Sequence, residues 1–160
     1  MRLYCAETKQ MGSKFINASP AALRYRTLFE QSPDGILIID TLGNILEFNA
    51  NAHLQLGYTK EEFSKLRIAD LDPVQSPEQI QASLGKALAE GRAEHEVKHR
   101  TKQGEIRDVH VITQKIVLSG QTVFHTIWRD ITERKSSESE LELFRDLIKK
   151  SSGILPATTC

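Results

Sequence analysis

The sequence predicts an α+β domain with a five-stranded antiparallel sheet and short helices over one of its faces. Three observations indicate this fold class: a pair of strands joined by a turn at 35–48, a series of short helices at 50–91, and three strands at 93–130. Because the helices are inserted after the second strand, they cross one face of the sheet before the third strand begins. Flanking helices are predicted before and after this core.

The chain before the sheet comprises an extension and one predicted helix. Residues 1–18 have no clear hydrophobic period and are interpreted as an N-terminal extension. Ser19 and Pro20 favour a helix start, since serine caps free backbone amides and proline tolerates the first helical position. Pro33 ends this N-terminal flanking helix, 19–33. Its apolar stripe consists of Ala21, Ala22, Tyr25, Leu28 and Phe29.

Two strands, a turn and a capped helix follow. Residues 35–40 and 44–48 are rich in β-branched and other apolar side chains, and Gly43 lies in the turn between them. Asn49 then caps a helix, because its side-chain oxygen can accept the amide hydrogens left free at the helix start. Gly57 is placed to end that helix.

Two further helices are predicted from capping boxes, in which the cap residue and the third helical residue bind each other's backbone amides. Thr59 and Glu62 form the first pair, and Ser76 and Gln79 form the second. The second box begins a longer amphipathic helix that continues to Gly91.

Three strands complete the predicted sheet. The first is 93–101, and turn residues at 103–104 and 119–120 separate a long strand, roughly 105–118, from the last strand, 121–130. The long strand is apolar on both faces, so both sides of the sheet are expected to be covered. Alternation in the first strand places Ala93, His95, Val97 and His99 on one face and Glu94, Glu96, Lys98 and Arg100 on the other.

A charged helix is predicted from Thr132 onward, with an apolar stripe of Leu141, Phe144, Leu147 and Ile148. So short a stripe does not stabilise a helix alone in water, and a partner helix or the body of the domain is expected to cover it. The segment 145–155 repeats the pattern of 26–37 with one residue missing.

Charge balance, hydropathy and cysteine positions narrow the expected partners and location of the protein. Lysine plus arginine equals aspartate plus glutamate, at 21 each, which gives no electrostatic reason to expect nucleic acid. The chain has no apolar run long enough for a membrane segment and no secretory signal, so a cytoplasmic location is expected. Cys5 and Cys160 lie near opposite ends, outside the predicted domain, which fits a reducing compartment.

Two motifs in the chain resemble those of PAS domains, the sensory domains of bacterial signalling proteins such as sensor histidine kinases. GILIIDTLGNILEFNANAHLQLGY at 35–58 is similar to the opening of the family, and IWRDITERK at 127–135 to its closing strand and Asp-Ile-Thr signature. The resemblance implies a PAS fold with its core at 34–132 and a C-terminal signalling helix at 133–150. The tail, 151–160, then resembles the truncated start of a second PAS unit, as in an excised piece of a longer sensor.

The resemblance implies that this domain receives a signal by binding. A small molecule or a partner would change the packing between sheet and helices, and Asp130, Ile131 and Thr132 would couple that change to the signalling helix. From the residues alone, Thr132 is interpreted as the N-cap of that helix. The candidate pocket-lining residues, for which plain core is the alternative interpretation, are Ile38, Phe48, Asn49, Leu56, Phe63, Leu71, Ile80, Leu84, Val97, Ile127 and Trp128.

The resemblance leaves the cofactor unknown, and three classes are disfavoured. Haem-binding PAS domains carry a histidine on the long helix before the third strand, and 76–91 has none. Covalent flavin attachment requires an interior cysteine, which is absent. A zinc site is disfavoured because no two of His53, His95, His99, His110 and His125 lie four residues apart on a predicted helix; His95 and His99 have that spacing but lie on a predicted strand. A non-covalent flavin in contact with Trp128 and Asn49 stays open.

The sequence contains no Gly-x-Ser-x-Gly elbow, phosphate-binding loop or kinase catalytic part, so the chain is predicted not to be an enzyme, whereas its parent protein can be a histidine kinase. The resemblance implies a homodimer through the flanking helices and a C-terminal effector domain. A hypothesis of a different class is a ligand-free dimerisation or docking module of a signalling or transcription-regulating protein. In that case the two flanking stripes carry the function.

Overall fold

A computed structural model describes residues 19–153. The predicted extension, with Cys5, and all but the first residues of the predicted tail, with Cys160, lie outside this range. The elements are helix α1 (Pro20–Glu30), strands β1 (Gly35–Ile39) and β2 (Ile45–Phe48), helices α2 (Ala50–Leu54), α3 (Lys60–Phe63), α4 (Ile68–Leu71) and α5 (Pro77–Glu90), strands β3 (Arg92–Arg100), β4 (Ile106–Leu118) and β5 (Gln121–Asp130), and helix α6 (Thr132–Ser152).

The five strands form one sheet in the order β2-β1-β5-β4-β3, and every neighbouring pair is antiparallel. The α+β class and the insertion of helices between β2 and β3 are confirmed. β1 and β5 pair in the middle of the sheet, β4 pairs with β5, and β3 lies at the edge beyond β4. As an edge strand, β3 is held on one side only, by β4.

The helix starts follow the predicted capping chemistry. The Ser19 hydroxyl accepts a hydrogen bond from the amide of Ala22, at 3.2 Å. Both predicted capping boxes, at α3 and α5, make their two reciprocal bonds. Gly91 ends α5 in the left-handed conformation, with φ of 82°, where a side chain would be strained.

The main core lies between the helices α2 to α5 and one face of the sheet, which we call the inner face. Leu37 and Ile39 of β1, Phe124 of β5, Phe63 of α3 and Leu71 of α4 are almost completely buried there. Strand side chains alternate between the faces of a sheet, so the residues between these in each strand lie on the outer face.

The flanking helices leave most of their apolar side chains uncovered. In α1 only Phe29 is buried, whereas Tyr25 and Leu28 are 53% and 75% exposed. No residue of α6 is buried, and its predicted stripe of Leu141, Phe144, Leu147 and Ile148 is half or more exposed. Within residues 19–153, no helix has the length and apolar character needed to cross a membrane.

Candidate functional site

A cavity of about 70 Å³ lies between the inner face of the sheet and the segment that includes α4 and α5. Its walls come from four of the five strands, and most of the lining is aliphatic or aromatic. The apolar lining residues are Ile39, Ile68, Ile80, Leu84, Ala93, Val97, Val111 and Trp128, and the polar ones are Asp72, Gln75, Ser83, His95, His99, Thr113 and Thr126.

The strand register brings the lining residues together. In β3 the predicted alternation places His95, Val97 and His99 toward the cavity. Across the other two long strands, Val111 pairs with Trp128, and Thr113 pairs with Thr126. The Thr113 and Thr126 hydroxyl oxygens lie 3.3 Å apart and hydrogen-bond to each other in the buried wall.

His99 is the most deeply buried ionisable group of the cavity, with 6% of its surface exposed. Its ring packs edge-on against Trp128, with centroids 4.7 Å apart and an interplanar angle of 78°. Burial lowers the pKa of His99 to about 4, and the charges of Asp72 and Asp130 only partly oppose this effect. The imidazole is therefore neutral near pH 7, and its Nδ1 has no hydrogen-bond partner in the part of the chain described.

Asp72 supplies the negative charge in this wall. One of its carboxylate oxygens accepts hydrogen bonds from the backbone amides of Val74 and Gln75, at 2.8 and 2.9 Å, and the other accepts from the Gln75 side-chain amide at 2.9 Å. These bonds fix the turn that precedes α5. Half-buried His95 also has a lowered pKa, chiefly because of burial, and the Asp72 charge opposes the shift.

An open groove of about 520 Å³ adjoins the cavity. Asp72, Gln75, Ser83, His95 and Val97 line both, so the two spaces share one wall. The groove continues past Val74 to charged residues of β3, β4 and α6, namely Glu96, Lys98, Asp108 and Lys135. The groove therefore extends from the wall that it shares with the cavity to Lys135 in the first turn of α6.

Asp108 of β4 fixes the junction between β5 and α6. Its carbonyl oxygen accepts the amide of Ile131 at 2.8 Å, and its amide donates to the hydroxyl of Thr132 at 2.9 Å. Its carboxylate lies 2.5 Å from the ammonium of Lys98 and 3.5 Å from that of Lys135. This ion-paired carboxylate consequently has a lowered pKa, the hydrogen bond from Lys98 being the largest cause.

The interpretation of Thr132 as the N-cap of the C-terminal helix is wrong. Ile131 occupies the cap position without a side-chain cap, and Thr132 is the first helical residue. The Thr132 hydroxyl binds the amide of Asp108 instead, while the Asp130 carboxylate accepts the amide of Thr132 at 2.9 Å. The side chain of Thr132 thus ties the helix to the sheet.

Apart from Asn49, the predicted pocket-lining residues fall into three groups. Ile80, Leu84, Val97 and Trp128 line the cavity. Phe48, Leu56, Phe63 and Leu71 belong to the adjoining core and are not among its lining residues. The assignment of Ile38 and Ile127 to the pocket requires a correction. Ile39 and Trp128 lie on the inner face, so alternation places Ile38 and Ile127 on the outer face.

Asn49 also requires a correction, since it is fully buried outside the cavity and its amide is already occupied. Its side-chain oxygen accepts the amides of Ile36 and Ala52 at 2.9 and 3.0 Å, so the predicted cap of α2 is confirmed. Its nitrogen donates to the carbonyls of Phe29 and Asp34 at 2.9 and 3.0 Å. No donor or acceptor is left for a flavin ring.

Sequence reasoning did not assign His95 and His99 to the pocket, although it placed them on the same strand face as Val97. That shared face was the available signal. The polar residues of the α4–α5 turn and the threonine pair were also missed, because their approach depends on the fold and on strand register. Among the described residues, no group of three histidine, cysteine or carboxylate side chains could hold a metal ion.

A family model described as "PAS domain" matches residues 33–133. The chain belongs to the PAS domain family. This confirms the family predicted from the motifs at 35–58 and 127–135. The crystal structure of the PAS domain of an HTR-like protein from Haloarcula marismortui is 28% identical, with a TM-score of 0.66, and the match covers 77% of this chain and 99% of that one.

Two curated sensor proteins are similar to this chain over part of their length. The methyl sulfide methyltransferase-associated sensor of Methanosarcina acetivorans is 28% identical over 116 residues, which cover 72% of this chain and 12% of the sensor. The sensor histidine kinase TmoS of Ectopseudomonas mendocina is 28% identical over 147 residues, covering 89% of this chain and 15% of the kinase. The chain therefore spans only a small part of each of these relatives, and what it contains is a PAS sensory domain.

Proposed function

We propose that this PAS domain is a signal-input module that binds a small molecule in the cavity and transmits its presence through β3 to α6. The observation that carries the proposal is the position of β3. His95, Val97 and His99 on one of its faces line the cavity, whereas Glu96 on the other face pairs with Lys135 of α6. A ligand that displaces the strand acts on both contacts.

The ion pairs between β3 and α6 are suited to a change of state. Glu96 also lies 3.7 Å from Arg134, so two cations at the start of α6 share one carboxylate. These groups are largely exposed, and exposed ion pairs contribute little to stability. A modest difference in ligand affinity between two arrangements of β3 is then enough to shift the helix.

The Asp130-Ile131-Thr132 junction completes the proposed relay. All three residues contact β4 or each other through hydrogen bonds, so α6 cannot change its exit angle without rearranging them. The TmoS relative is a sensor histidine kinase, and by analogy the output is proposed to be a C-terminal effector domain such as a kinase.

The binding step is tested by native mass spectrometry of protein purified without added cofactor. A discrete extra mass that disappears on denaturation is the expected result for a ligand tight enough to survive purification. For a weaker ligand, titration with small molecules followed by amide NMR must produce saturable shifts at the cavity. A protein that remains ligand-free in both measurements refutes the sensor proposal.

The relay step is tested in a chimera with a histidine kinase output. Lys135→Met removes the ammonium that binds Glu96 and Asp108, and it is expected to change the ratio of signalling with and without ligand. Lys149→Met is the matched control, since Lys149 lies in the last turn of the same helix. Equal signalling by the two variants would refute the β3–α6 relay.

A second candidate function is dimerisation through the flanking helices. The specific observation in its favour is the uncovered α6 stripe, in which Leu141 and Phe144 are 51% and 60% exposed. Light scattering is expected to give a dimer for the wild type and a monomer for Leu141→Glu/Phe144→Glu. A dimer that is unaffected by the double variant would exclude this surface.

A further inference from the structure

The strand β3 has a free edge, since β4 pairs with it on one side and the sheet ends on the other. Hydrogen bonds at its two ends show which residues face β4. The carbonyl of Gly91 accepts the amide of Lys115, and the amide of Thr101 donates to the carbonyl of Glu105. Backbone groups alternate in direction along a strand, so the odd-numbered residues of β3 bond to β4 and the even-numbered residues point to the free edge.

The backbone groups at this free edge have no protein hydrogen-bond partner within residues 19–153. The exposed residues that carry them are Glu94, Glu96, Lys98 and Arg100. The edge becomes occupied only at Lys102, whose amide donates to the carbonyl of Leu56 at 2.9 Å. A row of unpaired amides and carbonyls is a template on which another strand can pair.

Open space lies beside the middle of the free edge. The groove of about 520 Å³ is lined by the consecutive residues 95–98 of β3, whose side chains alternate between the two faces of the sheet. A space that contacts both faces of one strand lies beside the edge of that strand. The α4–α5 turn and the start of α6 flank this groove and leave the edge open between them.

The side chains at the free edge form a self-complementary pattern of charge. When two copies of a strand pair about a two-fold axis, each contact is repeated with the copies exchanged. An axis through Val97 places Glu94 opposite Arg100 of the second copy. The same axis places Glu96 opposite Lys98. Both contacts occur twice, so four pairs of opposite charge lie along the outer face of the joined strands.

The neighbouring registers lose this complementarity. An axis through Glu96 places the two copies of Glu96 opposite each other and Arg92 opposite Arg100. An axis through Lys98 places two lysines opposite each other and requires the edge at Lys102, which is already occupied. Like charges directly opposite each other are destabilising, so the register centred on Val97 is favoured.

The existing contacts of these side chains leave capacity for the new pairs. Arg100 makes no ion pair with any residue in the described part of the chain. Lys98 pairs with Asp108, and its ammonium carries three donors, which is enough for a second carboxylate. Each carboxylate oxygen of Glu94 contacts one nitrogen of its own chain and has a further lone pair.

We propose that a second copy of this domain pairs antiparallel with the free edge of β3, with the two-fold axis at Val97. The two five-stranded sheets then join into one sheet of ten strands. This contact uses a different surface from the α6 stripe, and it does not require a ligand in the cavity. Association through it is weak, because the paired stretch is short and exposed charge pairs contribute little.

The proposal is tested by sedimentation equilibrium between about 1 µM and about 1 mM protein. The background is Leu141→Glu/Phe144→Glu, so that the α6 stripe does not contribute to association. Self-association at the upper concentrations is the expected result. It should weaken as salt is added, since the charge pairs are exposed.

Charge reversals test the register. Glu94→Arg and Arg100→Glu each place like charges opposite each other, and each is expected to weaken self-association about tenfold or more. An equimolar mixture of the two variants should associate again, because the introduced arginine of one faces the introduced glutamate of the other. Glu47→Arg is the matched control, since it makes the same charge change at the other edge of the sheet and should associate as its background does.

Amide hydrogen exchange, followed by NMR, tests the strand pairing itself. The amides of residues 94, 96, 98 and 100 should exchange fast in dilute protein and slowly at about 1 mM. Those of residues 93, 95, 97 and 99 should be protected at both concentrations, because they bond to β4. Association without new protection at the even positions would locate the contact on another surface and overturn the proposal.

Two further results would also overturn it. One is a background protein that stays monomeric at about 1 mM. The other is association of equal strength in the background and in both charge reversals, with folding verified by circular dichroism. The proposed signal-input function is unaffected by either result, since it depends on the cavity and on the contacts between β3 and α6.

Discussion

Replacement of Asn49 by alanine should destabilise the domain more than any other single loss of a polar side chain described above. The side chain is fully buried and makes four hydrogen bonds, to the backbone of Phe29, Asp34, Ile36 and Ala52. A net contribution of about 1 kcal/mol for each bond gives about 4 kcal/mol for Asn49→Ala. The loss is large because these bonds join the end of α1, the start of β1 and the cap of α2.

The assay is urea unfolding followed by the fluorescence of Trp128, which is the single tryptophan of the chain and is buried. Asn51→Ala is the matched control, because the side chain of Asn51 is only half-buried and donates to a single carbonyl, that of Ser32. The control should cost about 1 kcal/mol. Costs that are equal for the two asparagines would refute the reasoning.

Asn49→Asp makes the test sharper. Its carboxylate could still accept from Ile36 and Ala52, but it would face the carbonyls of Phe29 and Asp34 without a proton to donate. The aspartate pKa should therefore be raised in the folded state, so that the folded protein binds the proton more readily. Stability of this variant relative to wild type should increase as the pH falls through that raised pKa. A difference that is independent of pH would contradict this account.

Three further predictions concern stability. Gly35→Ala should cost about 1–3 kcal/mol and shift the tryptophan emission, because an added Cβ would lie 1.9 Å from Nε1 of Trp128. Thr132→Val should cost about 1 kcal/mol in urea unfolding, through loss of the hydroxyl that accepts the β4 amide. His99→Leu should flatten the pH dependence of the unfolding free energy. The pKa of His99 is about 4 when folded and near 6.5 when unfolded, so the wild type loses about 3 kcal/mol relative to the variant as the pH falls between these values.

Each of these three predictions is checked by a matched control or by a result that would contradict it. Gly85→Ala, in the middle of α5 with no atom within 4 Å of the added Cβ, should stabilise the protein by about 1 kcal/mol. Thr132→Ser keeps the hydroxyl and should resemble wild type, and a loss as large as that of valine would argue against the hydrogen bond. Parallel pH profiles for wild type and His99→Leu would show that His99 is not buried as a neutral group.

The elements of this fold were predictable because their signals are local. The side chains of Ser19, Asn49, Thr59 and Ser76 each cap a helix by accepting the amide of the third residue after them, so both partners are visible in the sequence. The turns before and after β4 are marked by glycines with positive φ. These features do not depend on how the elements pack.

The candidate site was harder to predict because it depends on which strand face is turned inward. β1 reads Gly-Ile-Leu-Ile-Ile, so every position after the glycine is apolar and alternation cannot distinguish Ile38 from Ile39. In β5, Ile127 and Trp128 are adjacent and cannot share a face, yet both were assigned to the pocket. Thr132 was misassigned for a related reason, since its partner Asp108 is distant in the sequence.

The alternation along β3 has a consequence for how this domain can change over evolution or in the laboratory. Side chains at 95, 97 and 99 contact the cavity, while those at 96 and 98 contact α6 or Asp108. Under the proposed function, substitutions at the first set are expected to alter which molecule is bound, and substitutions at the second set are expected to alter the strength of the response. A library that randomises positions 95, 97 and 99 alone is therefore expected to change which molecule the domain binds while the output of the protein stays the same.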